Sequence, residues 1–123
     1  MHEDKSLLFV DDEEEILDIL VELFSDNHYQ VYTATRVQDA LAIIKAHMIN
    51  FVISDLKLPD QSGLDLLDNV RSCQPDAVRV LTSGFLDVRF GEVTENETDG
   101  TLYISKPWDL HKLKELVYQK LDN

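Results

Sequence analysis

The chain has little of what several large protein classes need. Its single cysteine, Cys73, leaves no internal disulfide to staple a fold. Four histidines, His2, His28, His47 and His111, show no zinc-site spacing with one another or with cysteine, which argues against transition-metal chemistry. No apolar run approaches the about 18 residues of a membrane span, and the amino-terminal stretch "MHEDKSLLFVDD" lacks the basic start and long apolar core of a signal peptide. A cytoplasmic location is the expectation. Positive charge is scarce as well: 11 Lys and Arg against 24 Asp and Glu give a net charge of -13. Such a surface repels phosphate backbones and anionic lipid, so no direct contact with nucleic acid or membrane is expected.

At 123 residues, with 44% hydrophobic residues, the chain is the size of one domain and can bury a real core. No linker, repeat or low-complexity segment interrupts it, and no stretch reads as an output domain. Short apolar runs, "SLLFV", "QVYTA", "NFVIS", "VRVLT" and "TLYIS", alternate with longer segments of helical period. Five strands and five helices follow from the pattern. Inner faces are expected at Ile16, Leu20, Leu23 and Phe24 in the first helix, at Val37, Ala40, Leu41 and Ile44 in the second, and at Leu110, Leu113, Val117 and Leu121 in the last. Thr35 with Gln38 and Ser62 with Asp65 are spaced as capping boxes, and Asp109 stands ready to cap the last helix. The fourth helix is weak, because Leu86, Phe90 and Val93 make a stripe that Gly91 and the polar run "TENETDG" undercut. Strands too apolar to face water on either side imply a parallel sheet covered by helices on both faces, an open doubly wound α/β/α architecture.

In such a sheet the functional crevice lies beyond the carboxyl ends of the strands. The first strand runs into Asp11 and Asp12, the third ends at Asp55, the fourth ends on Thr82 and Ser83, and the fifth ends on Lys106. Singly, each has an ordinary reading: acids at a helix start, a turn acid before Pro59, a strand threonine, a surface amine. Those readings do not explain why every inner strand carries its polar group at the same end. Carboxylates gathered in one crevice repel one another, and a divalent cation removes the conflict. Oxygen-only ligands with access to water suit magnesium. Lys106 adds a mobile point charge able to pair with Asp55 or with a phosphoryl group on it. A nucleophilic oxygen, a metal, an ammonium and a hydroxyl donor are what phosphoryl transfer requires.

At these residues the sequence resembles the receiver domain of bacterial two-component response regulators, including the chemotaxis regulators. The resemblance rests on "LLFVDDEEEIL", "VISDLKLPDQSGLDLL", "VRVLTSG" and "LYISKPW" in the family's order and spacing, and it spans essentially the whole chain, residues 1–123. It implies a flavodoxin-like five-stranded parallel sheet of order 2-1-3-4-5 with five helices. It implies Asp55 as phospho-acceptor, with Asp11, Asp12 and Asp55 and the backbone carbonyl of Lys57 holding magnesium, Asp12 being favoured over Asp11 as direct ligand. Thr82 and Lys106 would bind the phosphoryl group, and Thr82 with Tyr103 would form the switch, the hydroxyl moving toward the phosphoryl group while the ring turns inward. Lys57 and Gly84 occupy positions that tune phosphoryl lifetime in the family.

The function so implied is a phospho-accepting switch of a phosphorelay. It receives a phosphoryl group from a histidine kinase or histidine phosphotransfer domain, controls an output domain or target protein, and pairs with a second copy in some members. It is no enzyme beyond its own magnesium-dependent phosphorylation and dephosphorylation. Ile16 and Ile19 of the first helix are the candidate kinase contact. A small-molecule phosphatase like the haloacid dehalogenases is the competing enzyme reading, weakened because Lys57 stands where those enzymes place a second acid and because no cap segment is present. A phosphorylation-independent binding module is the third, and it gives no reason for clustered like charges.

Overall fold

The computed structural model describes residues 5–25, 28–84, 93–96, 98–106 and 109–122. Five strands run parallel: β1 (Lys5–Val10), β2 (Tyr29–Ala34), β3 (Phe51–Asp55), β4 (Val78–Ser83) and, after a short antiparallel β5 (Thr94–Glu95), β6 (Leu102–Ser105). The sheet order is β2-β1-β3-β4-β6-β5. The parallel strands therefore follow the expected 2-1-3-4-5 order, since "TLYIS" forms β6. Four helices are seen among the described residues: α1 (Glu14–Phe24), α2 (Val37–Ala46), α3 (Gly63–Cys73) and α4 (Leu110–Leu121). None of them is long and apolar enough to cross a membrane.

The sheet has one strand more than the pattern predicts, and β5 comes from the polar run that undercut the fourth helix. Asn96 and Gly100 close a turn between β5 and β6, with Gly100 at φ +78°, a conformation that glycine adopts without strain. Leu86 and Phe90 of the expected fourth helix lie outside the described residues. Val93, the third member of its stripe, is exposed and leads into β5.

Alternation along the strands feeds two cores. Leu7 and Phe9 point to one face and Leu8 and Val10 to the other, all at most 2% exposed, which is why β1 reads as an unbroken apolar run. The first face packs Phe51, Ile53, Val80 and Ile104 against Leu17, Leu20 and Phe24 of α1 and Leu113, Leu116 and Val117 of α4. The second packs Val52 and Leu81 against Val37, Ala40 and Ile44 of α2 and Leu66, Leu67 and Val70 of α3. Phe9 and Phe24 stack with ring centroids 5.5 Å apart; truncating a buried phenylalanine costs about 3–5 kcal/mol. The inner faces agree with the helical period except at Leu110, which is exposed at the first turn of α4 while Leu116 turns inward.

Two of the three expected caps form: Ser62 accepts from the Leu64 N–H at 3.1 Å and Asp109 from the Lys112 N–H at 3.2 Å. The third does not. At α2 the flanking residue is Arg36, whose side chain does not cap. Asp60, from the loop after β3, accepts instead from the Val37 and Gln38 N–H groups at 2.9 and 3.0 Å. A carboxylate brought from a distant loop thus replaces a local hydroxyl, and it suits the positive end of the helix dipole.

Candidate functional site

Register places the functional residues. Val10 pairs with Ser54, Asp55 with Thr82, and Ser83 with Ser105, so the carboxyl ends of four strands stand level. Asp11 follows β1, Asp55 ends β3, Thr82 lies in the last pair of residues of β4, and Lys106 follows β6. The pairing runs on past the strands, with the Asp11 N–H donating to the Ala34 carbonyl at 3.1 Å and the Lys106 N–H to the Ser83 carbonyl at 3.3 Å.

The side chains then converge. Asp11 is fully buried, Asp55 partly buried and Asp12 exposed, and a carboxylate oxygen from each lies within 4.8 Å of the others. The Lys106 ammonium donates to Asp11 Oδ2 at 2.6 Å and to Asp55 Oδ2 at 3.2 Å. Asp11 is held on its other side by the Glu13 N–H, which donates to Oδ1 at 2.9 Å. Burial pulls the Lys106 ammonium down, but hydrogen bonds and charge from Asp11 and Asp55 outweigh it and hold the group above the ordinary lysine range.

One ammonium against three carboxylates leaves two formal negative charges unbalanced. Like charges about 4–5 Å apart repel by about 3–4 kcal/mol at the effective dielectric of a protein surface. A hard dication held by these carboxylates would relieve this repulsion. Three oxygen donors, one buried and one open to water, match a small dication that retains part of its water shell.

Thr82 is buried beside Asp55 by register, and the Leu56 N–H donates to its carbonyl at 2.9 Å. Lys57 is exposed and bridges to Ser62 across the tight loop that follows Asp55. Tyr103 is half-buried on β6 against the α2–α3 face of the core. Asp11, Asp12, Asp55 and Lys106 are therefore gathered directly, with Thr82 alongside, while Tyr103 lies on β6, paired with Leu81 and three residues before Lys106. Of the two candidate contact residues on α1, Ile19 is 47% exposed, whereas Ile16 packs against the core.

Gly63 has a role that spacing alone does not show. A Cβ there would lie 2.0 Å from the Asp55 carbonyl oxygen and 2.8 Å from Ser54 Oγ. The amino end of α3 therefore rests directly on the backbone of Asp55, tied by the Gly63 N–H donating to the Leu56 carbonyl at 2.8 Å. Only a residue without a side chain permits that approach. Its single sequence signal is a glycine directly after a capping serine. An open cavity of about 600 Å³ lies at the opposite end of the sheet, lined by residues such as His47, Met48, Cys73 and Pro75; it shares no residue with the acidic crevice.

The family model for the response regulator receiver domain matches residues 7–118. The chain belongs to that family. Among curated relatives it is 31% identical over 117 residues to the photosynthetic apparatus regulatory protein RegA of Cereibacter sphaeroides, covering 95% of this chain and 63% of RegA. It is 28% identical over 120 residues to sporulation initiation phosphotransferase F of Bacillus subtilis, covering 95% of this chain and 94% of that protein. The CheY-like receiver domain protein of Methanospirillum hungatei superposes with a TM-score of 0.81 at 27% identity, covering 97% of this chain and 94% of that one. The chain thus spans less than two thirds of the length of RegA. Receiver domains are the phospho-accepting signalling switches of two-component systems, distinct from turnover enzymes, and in response regulators they work with kinases and output domains. In this receiver domain the flavodoxin-like fold is the expected one, with β5 added at the edge of the sheet.

Proposed function

We propose that residues 1–123 form one cytoplasmic receiver domain in which Asp55 accepts a phosphoryl group from a histidine kinase or a histidine phosphotransfer domain. The observation that carries this reading is the fork of Lys106, 2.6 Å from Asp11 and 3.2 Å from Asp55, set against a cluster of three carboxylates. The Asp55 carboxylate attacks the phosphorus of a phosphohistidine, the P–N bond breaks, and the imidazole leaves carrying a proton from solvent. Asp11, Asp12, Asp55 and the Lys57 carbonyl would hold magnesium, which when bound neutralises the phosphoryl oxygens. Lys106 supplies positive charge from the opposite side, and the Thr82 hydroxyl donates to a further phosphoryl oxygen. The level strand ends keep these groups oriented before the donor arrives, so little reorganisation is needed during transfer.

Phosphorylation changes the charge beside Lys106 and Thr82, and Tyr103 is the aromatic switch that carries the change to the surface. The exposed side of α1 around Ile19 is the docking surface for the kinase. Targets are an output domain or a separate protein, and a second copy of this chain is a further partner of the phosphorylated state. Acetyl phosphate with magnesium should add one phosphoryl group to the intact mass of the protein. Asp55→Asn should remove that gain, and an equal gain in the variant would sink the assignment.

A further inference from the structure

We propose that Asn96 is a positioning residue that latches Tyr103 in its resting orientation, making the turn between β5 and β6 part of the switch. This inference rests on the reading of Tyr103 as the switch aromatic. Asn96 Nδ2 donates to the Tyr103 hydroxyl at 3.3 Å. The remaining polar groups of Asn96 are committed to the turn: its N–H donates to the Thr101 carbonyl at 2.7 Å and its carbonyl accepts from the Gly100 N–H at 2.8 Å. Its Oδ1 accepts from the Thr98 and Asp99 N–H groups at 2.8 and 3.3 Å. The side-chain amide is thereby fixed in direction, with its donor toward the tyrosine.

The turn itself is anchored to the sheet. Arg79 of β4 is 7% exposed; its Nη2 donates to the Asp99 carbonyl, and its Nε donates to Thr101 Oγ1 at 3.5 Å. Thr101 in turn donates its N–H to Asp99 Oδ1 at 2.9 Å. Arg79 precedes Thr82 by three residues on the same strand. The strand that brings a hydroxyl to the phosphoryl site thus also anchors the turn that grips the tyrosine. With Asn96 immobile, a ring that turns away from the hairpin must give up this hydrogen bond, so the latch favours the resting packing and opposes the phosphorylated one.

The test uses the full chain with magnesium and beryllofluoride as the phosphoryl mimic, with bound mimic followed by fluorine NMR. Tyr103→Phe removes the hydroxyl and leaves the turn intact, and Asn96→Ala removes the donor. Each should tighten apparent affinity for the mimic about 2- to 10-fold, the range for loss of one neutral hydrogen bond. The double variant should be no tighter than either single one, because both remove the same bond. Asn96→Asp retains the turn acceptor and can accept from the tyrosine hydroxyl, so it should restore wild-type affinity. Additive effects in the double variant, or unchanged affinity in both single variants, overturn the latch while leaving the phospho-acceptor reading intact. A wild-type protein that never takes up the mimic overturns both.

Discussion

The two ends of the sheet use polar residues in opposite ways. At the amino ends of the strands neutral amides are consumed by backbone. Asn50 Oδ1 accepts from the Ser6 N–H at 2.8 Å. Gln74 accepts from the Ile49 N–H at 2.7 Å and donates to the Ile44 and His47 carbonyls, both at 2.8 Å. These contacts join loops and helix ends, and the amides that make them carry no formal charge. At the carboxyl ends acidic and basic side chains are concentrated, three carboxyl groups around one amine. A fold that needs only closure uses amides, whereas clustered charge costs stability and signals a site.

Removing an acid at the carboxyl end should have the largest effect on function. Asp12→Ala should abolish magnesium-dependent phosphoryl uptake, measured by intact mass with acetyl phosphate, while the midpoint of urea unfolding without magnesium holds or rises because a repelling charge has gone. A lower midpoint with intact uptake would make Asp12 a structural residue like those at the other end. Next in size, Gly63→Ala should destabilise the fold by about 3 kcal/mol in urea unfolding, at the upper end for overpacking, because the new Cβ meets backbone that cannot yield as a side chain would. This variant should also slow phosphoryl uptake, since the displaced carbonyl belongs to Asp55.

Gln74→Ala at the amino end should cost about 1–3 kcal/mol, the range for leaving buried polar groups unpartnered, and should leave phosphoryl uptake unchanged. A coupled loss of uptake would mean that the two ends are not independent. The smallest effect concerns Asp60. Its partial desolvation pushes the carboxyl upward, but the backbone N–H groups of Gln38 and Val37, with those of Asp60 and Gln61, outweigh this and hold it below the ordinary carboxylate range. A group depressed in the folded state contributes stability above its unfolded pKa of about 3.9 and loses it as pH falls through the lower folded value. Urea midpoints should therefore drop as pH falls below about 4, and the drop should be shallower in Asp60→Asn.

Much of the fold was readable before the structure because the inner strands are rich in apolar residues and each helix repeats its apolar residues on one face. The crevice was readable for a topological reason: parallel strands must present their carboxyl ends together, so Asp11, Asp55, Thr82 and Lys106 could be grouped without coordinates. The unread parts depend on through-space approach. Asp60 caps a helix that begins 23 residues earlier, and no local pattern announces it. Gly63 matters because of what lies above it. The hairpin at Asn96 was hidden because a two-residue strand within a polar run carries no periodicity to detect. Leu110 was misplaced because it shares the face of Leu113 and Val117 by helical period yet is exposed at the first turn of α4.

The level register of the parallel strands also limits the changes of length this domain can absorb. One residue inserted within β1, β3 or β4 would shift the end of that strand by about 3.3 Å and send its alternating side chains to the wrong faces. Apolar residues along these strands can therefore be exchanged for one another with modest loss. Changes of length belong in the loops, and in the loop from Asp55 to Gly63 the close approach of Gly63 to the Asp55 carbonyl leaves little slack.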